Sequence, residues 1–159
     1  MTIRILSVGK IKETYLEDGI QEYAKRLSKY CKLQFASVND EKTPDHAPPA
    51  LEDQIRRAEG ERLLKLIQEK DYVIALAIEG KMPDSVQLAE KLSEIISHGK
   101  STIDFVIGGS LGLHADVLAR ADLKLSFSRM TFPHQLMRLI LTEQIYRSFR
   151  IMNHEPYHK

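Results

Sequence analysis

"DFVIGGSLGLH", Asp104 to His114, decides how this chain is read. Its first half is a short apolar run. Its second half carries Gly108, Gly109 and Gly112 and leads into "HADVLARA", which has a helical pattern. A strand that enters a glycine turn and then a helix is the kind of junction where open α/β sheets hold ligands. The glycines match no common phosphate-binding pattern. A dinucleotide fingerprint needs G-x-G-x-x-G after the first strand, whereas the order here is G-G-x-x-G, late in the chain. A P-loop needs a lysine after its last glycine, and no lysine follows Gly112. The first strand-to-helix turn, "SVGKIKETY", has a single glycine and no fingerprint either.

Outward from this turn, strand and helix patterns alternate. "TIRILSV" opens as a strand, and Leu16, Ile20, Tyr23, Leu27 and Tyr30 then recur at helical spacing. "LQFASV" is a second strand, and the proline-rich "NDEKTPDHAPPA" is a loop. A helix is expected from about Leu51 to Glu69. "YVIALAI" is apolar on both faces, as a central parallel strand would be. Asp84 and Gln87 have capping-box spacing for a helix running to His98. "LKLSFS" reads as the last strand. Thr131 is placed to cap a final helix, about Pro133 to Met152, with the proline in its first turn. These elements predict one α/β domain over residues 1–159, with a mainly parallel sheet of about five strands. The final helix is apolar over more than half its circumference. It is therefore either a deeply buried central helix or one that also faces a second subunit.

Composition narrows the classes. The chain has 159 residues, 43% of them hydrophobic, and a formal net charge of +1. No apolar run reaches the length of a membrane span. No signal-peptide pattern opens the sequence, and Cys31 is the only cysteine. A cytoplasmic protein without an internal disulfide is expected. Residues 129–159 carry five Lys/Arg against two acids, so the last part is basic on a near-neutral body. That charge suits either local phosphate binding or a solvated helix face. The six histidines are scattered, and Pro156 separates His154 from His158, so no metal site is expected. No G-x-S-x-G elbow is present.

Three loops follow the carboxyl ends of late strands: "EGKMP" (79–83), "GGSLGL" (108–113) and "SFSRMTFPH" (126–134). The third is unusually apolar, with Phe127, Met130 and Phe132. These side chains either plug the core or meet a flat aromatic ligand that backbone groups recognise, with Gly108 and Gly109 allowing close approach.

"LAIEGKMPDS", "FVIGGSLGLH", "LSFSRMTFPHQLMR" and the terminal "PYHK", in this order and over the whole chain, resemble the small single-domain SPOUT methyltransferases of the RlmH family. That family methylates a pseudouridine of large-subunit (23S) rRNA at N3. The resemblance implies a C-terminal trefoil knot, a homodimer, S-adenosylmethionine as methyl donor and the assembled ribosome as partner. It implies donor contacts at Leu76, Gly108 and the loop residues Phe127, Ser128, Arg129, Met130, Thr131 and Phe132. His158 is the candidate base for the imide proton, with Tyr157 and Lys159 stabilising the anion, if "PYHK" is more than a frayed tail. Arg129, His134 and Arg138 are the candidate RNA-phosphate contacts, followed by Lys10, Lys12 and Lys81. Leu111 stands where relatives often carry a polar residue, and Glu155 is a variation before Pro156. Two other functions suit the same alternation: a flavodoxin-like nucleotide-binding regulator without catalysis, and a ribosome-associated module that binds RNA without a donor.

Overall fold

The structure, a computed structural model, describes residues 1–159. Five parallel strands form one sheet: β1 (Thr2–Val8), β2 (Lys32–Val38), β3 (Tyr72–Lys81), β4 (Thr102–Ile107) and β5 (Leu123–Leu125), in the spatial order β2-β1-β4-β3-β5. Helices α1 (Thr14–Leu27), α3 (Ser85–Ser97) and α5 (His134–Met152) pack together, with α5 between the other two. Helices α2 (Pro49–Leu64) and α4 (Ala115–Arg120) form a second layer. The expected single α/β domain with a five-stranded parallel sheet is therefore present.

Strand alternation creates two cores, because successive side chains leave opposite faces of a strand. Ile3 and Ile5 of β1 join Ile103, Phe105 and Ile107 of β4 in a cluster that includes Leu141, Ile145 and Phe149 of α5. Leu6 and Val8 point the other way and join Val73, Val106, Leu63 and Val117. The centre of the sheet is β4, with "YVIALAI" one place further out between β4 and β5.

Several local expectations need correction. β3 extends to Lys81, so Glu79, Gly80 and Lys81 are strand and not loop; Lys81 pairs with Leu125 after a register irregularity. β5 stops at Leu125 rather than Ser128. The Ser126 hydroxyl donates to the Ser128 carbonyl at 3.1 Å, and the Ser128 hydroxyl accepts from the Met130 N–H at 2.9 Å, which turns the backbone out of the sheet. α2 ends at Leu64, short of Glu69. Thr131 does not cap α5; Pro133 is the N-cap residue, with no side-chain cap bond. The Asp84–Gln87 capping box forms as expected, with 2.8 Å bonds in both directions.

One ion network ties the amino-terminal end of the sheet to the segment before β3. Arg4 on β1 donates to both carboxylate oxygens of Asp104 at 2.7 Å, to Asp71 at 2.9 Å and to the Leu66 carbonyl at 3.0 Å. Asp104 is fully buried, and burial pushes its carboxyl above the ordinary range against the opposing pull of Arg4. Removing one partner of a buried pair strands the other charge, which costs about 3–5 kcal/mol. Arg4→Met is accordingly expected to lower unfolding stability by ~3 kcal/mol, read as a fall in the urea midpoint at unchanged m-value. A midpoint within error of wild type would show that the network contributes nothing net.

Candidate donor cleft and C-terminal tail

The third strand and the loops after the last two meet in one place. A cleft of ≈ 720 Å³ opens at the carboxyl ends of β3, β4 and β5, lined by the end of β3, the whole glycine turn and the loop leading into α5. Sites of about 300–1,000 Å³ with mostly apolar walls are the size of small-molecule and cofactor pockets. Of the residues expected to contact a donor, Leu76, Gly108, Phe127, Ser128, Met130, Thr131 and Phe132 all line this cleft. Arg129 lies in the same loop but is exposed and outside the lining. Leu76 and Phe127 also pack against the main core, so the cleft wall is continuous with it.

Close packing within the turn explains its first glycine. A Cβ on Gly108 would lie 2.6 Å from the carbonyl carbon of Gly112 and 2.9 Å from the Leu113 nitrogen. The turn is folded back on itself, with the Gly112 N–H donating to the Gly109 carbonyl at 3.1 Å and Gly112 at φ +82°. Gly108 is therefore required by the turn's own backbone. Next to Gly109 sits Glu59 of α2, which the sequence reading missed. It is 4% exposed, and its Oε2 accepts from the Glu41 N–H at 3.0 Å. Its Oε1 would lie 3.1 Å from a Cβ on Gly109. Burial first, and then Asp40 and Glu41, push its carboxyl up against the opposing Glu41 N–H and Arg62. Nothing in the local pattern marks it, because a glutamate on an amphipathic helix reads as solvated.

The expected RNA contacts separate into two groups. Lys10, Lys12, Lys81 and Arg129 are exposed. The Lys12 N–H donates to the Gln135 side chain at 3.1 Å, which places the loop after β1 beside the start of α5. Arg138 is a correction. It is 6% exposed and donates from one terminal nitrogen to the Val8 carbonyl at 2.7 Å and the Gly9 carbonyl at 2.9 Å. Its guanidinium thus holds the end of β1 and does not face RNA. His134 lines the cleft half-buried; burial first, and then Arg138, depress its basicity, with Asp40 opposing. That shift favours the neutral imidazole there, which weakens His134 as a phosphate cation.

The tail is ordered against α5. Glu155 pairs with Arg150 and accepts from the Tyr30 hydroxyl at 2.8 Å, and Arg150 donates to the Pro156 carbonyl at 2.9 Å. The Tyr157 hydroxyl donates to Glu143 at 2.9 Å, and its ring meets Tyr146 edge-on at 4.9 Å between centroids. Burial, followed by Glu143, pushes this phenol far above its ordinary range, so Tyr157 keeps its proton. In this structure its hydroxyl anchors the tail to Glu143. His158 and Lys159 remain exposed, with His158 Nδ1 3.2 Å from an Arg147 terminal nitrogen. Arg147 lies thirteen residues after His134 on the same helix, about 20 Å further along its axis at 1.5 Å per residue. Tyr157 meets Glu143 at the middle of α5, so the tail lies along the half of the helix away from the cleft.

No group of three His, Cys, Asp or Glu side chains is arranged to hold a metal ion, and no helix is long and apolar enough to cross a membrane. Cys31 is buried, and its thiol is pushed up to about 11 by that burial.

Residues 1–158 match the family model described as a predicted SPOUT methyltransferase. The chain is 58% identical over 159 residues to the ribosomal RNA large subunit methyltransferase H of Bifidobacterium adolescentis, and 60% identical to that of Shouchella clausii, with 100% of each chain covered in both cases. The solved structure of a probable methylase family protein from Haemophilus influenzae Rd KW20 has a TM-score of 0.53 at 17% identity, covering 99% of this chain and 70% of that one, a likeness of fold. By family model, full-length identity and fold together, this chain belongs to the SPOUT methyltransferase family, alongside the large-subunit methyltransferase H proteins.

Proposed function

We propose that this protein transfers a methyl group from S-adenosylmethionine to N3 of a pseudouridine in large-subunit (23S) rRNA, as a cytoplasmic homodimer acting on the assembled ribosome. The observation that carries this is the cleft at the carboxyl ends of β3, β4 and β5, in a chain 58% identical over its full length to a protein named as a large-subunit rRNA methyltransferase. The residues suit the donor: apolar Leu76, Phe127 and Phe132 offer faces for the adenine, and the folded-back glycine turn offers backbone groups. When bound there, the donor supplies an electrophilic methyl on a sulfonium.

The chain's own part is positioning. Alignment of the methyl with the target nitrogen is worth about 7–11 kcal/mol in favourable cases. The exposed Lys10, Lys12, Lys81 and Arg129 are the proposed phosphate contacts, and the near-neutral net charge calls for a preformed RNA surface rather than long-range attraction. Apolar side chains left exposed at the cleft, Ile78 at 49% and Met130 at 73%, together with half-buried Leu136 and Ile140 on α5, support a second subunit docking there. Ile145 is not part of that surface: it is fully buried in the subunit's own core. A partner would bring its His158 and Lys159 to the cleft, whose lining includes no residue of the chain's own tail. The glycine turn and the 126–133 loop, which share the cleft, are the segments that the family's trefoil knot would bring together.

Calorimetry with S-adenosylhomocysteine, followed by methyl incorporation into ribosomes and into a free stem-loop, tests this. Micromolar binding and incorporation on ribosomes well above the stem-loop are expected. Absence of donor binding would favour a nucleotide regulator or a non-catalytic ribosome module. Equal incorporation on both substrates would remove the assembled ribosome from the proposal.

A further inference from the structure

We propose that Arg147 fixes His158 as a hydrogen-bond donor, so that His158 serves methyl transfer through its Nε2–H and not as the base that removes the imide proton. This rests on the tail entering the site as proposed above. An arginine side chain has five N–H donors, no acceptor, and does not deprotonate in proteins. The 3.2 Å contact between an Arg147 terminal nitrogen and His158 Nδ1 is therefore a hydrogen bond only if Nδ1 carries a lone pair. A neutral imidazole has one N–H and one acceptor, so its proton sits on Nε2. A doubly protonated ring would turn an N–H toward the guanidinium.

Arg147 is not free to adopt another arrangement. Its Nε and its other terminal nitrogen both donate to Glu143 Oε1, at 3.0 and 2.6 Å. Its guanidinium lies 4.7 Å from the centre of the Tyr157 ring, whose hydroxyl donates to the same Glu143 oxygen. Glu143 therefore takes two of the three guanidinium nitrogens, and the third meets His158. The ring nitrogen able to act as a base is occupied by Arg147, and the edge left facing outward is a donor.

A donor is also what the reaction can use. The target N3 lies between two carbonyls, and negative charge on their oxygens builds as the N3 proton leaves to solvent. A hydrogen bond from Nε2–H to one of those oxygens stabilises this charge. The nitrogen lone pair then forms the new N–C bond, and the donor's C–S bond breaks as its sulfonium becomes a thioether.

Three substitutions at His158 separate donor from base. Glutamine places an amide N–H near the position of Nε2 and cannot act as a base; asparagine reaches only as far as Nδ1; alanine removes both. Turnover is expected to fall about 100-fold in His158→Ala and His158→Asn, the usual loss when one donor to a developing anion is removed. His158→Gln is expected to stay within about tenfold of wild type by restoring that donor. S-adenosylhomocysteine affinity should be unchanged in all three. If His158→Gln is as slow as His158→Ala while donor affinity holds, the donor role is wrong and the tail's presence in the site stands. If His158→Ala turns over like wild type, the tail's role in catalysis falls, and this inference with it. Long-range proton–nitrogen spectra of labelled protein, with His158 assigned by its loss in His158→Ala, give a readout independent of activity. A ring protonated on Nε2 alone is expected, and a proton on Nδ1 would overturn the inference.

Discussion

Gly108→Val should raise the Kd for S-adenosylhomocysteine by about 100-fold or more, equivalent to ~2.7 kcal/mol. The reason is the 2.6 Å approach of the Gly112 backbone to the place a Cβ would occupy. No rotamer relieves such a clash, because the Cβ itself causes it. The turn from Gly109 to Leu113 must move, and it forms one wall of the cleft. Overpacking of this kind costs about 1–3 kcal/mol, less than the 5–15 kcal/mol typical of a folded domain. The variant should therefore remain folded, with a lower melting temperature, while losing donor affinity. Calorimetry paired with a circular-dichroism melt checks both. Wild-type affinity in a folded Gly108→Val protein would mean that the donor does not use this turn.

Mixing two inactive variants should restore activity. If each site takes its donor cleft from one subunit and its tail from the other, His158→Ala and Gly108→Val damage opposite halves. Each homodimer is expected to lose about 100-fold or more in methyl incorporation. A two-fold mixed dimer has one site with both defects and one with neither. Randomly reassociated subunits, half of them mixed dimers, should therefore recover roughly a quarter of wild-type activity. The physical basis is the ~20 Å of helix between His134 at the cleft and Arg147 beside His158. Recovery no greater than the average of the two parents would place the tail in its own subunit's site or outside the reaction.

Local rules read much of this fold correctly, and their failures share a cause. "YVIALAI", apolar on both faces, was legible as a strand inside the parallel sheet, and β3 indeed lies between β4 and β5. The Asp84–Gln87 box was legible because it needs only residues three apart. Two of the three marked loops, 108–113 and 126–134, were found at the cleft because they follow strand ends; of 79–83 only Glu79, within β3, reaches it. Contacts between segments distant in sequence were not legible. Whether α5 meets a second subunit could not be read, since periodicity says how wide an apolar surface is and not how many neighbours cover it; α1 and α3 flank α5 on both sides, and Ile145 is fully buried. Arg138 read as a phosphate contact because nothing near it in sequence reveals the Val8 and Gly9 carbonyls, 130 and 129 residues away, that claim it. β5 was drawn too long because two serine side chains, not propensity, end it. The bond from Tyr157 to Glu143 was equally hidden, because a terminal tyrosine shows no sign of the residue that holds it.

Helix α5 acts as a ruler, and a ruler limits how the gene can change. It fixes the interval between the cleft-lining His134 at one end and the clasp for the tail at the other. One inserted residue would shift everything beyond it by 1.5 Å and rotate it by about 100°. Tyr157 and His158 would then face a different side of the molecule. Insertions and deletions should consequently be purged from this helix while point substitutions accumulate on its surface. The proline-rich segment between β2 and α2 bears no such measure, and it is where variation in length can be absorbed.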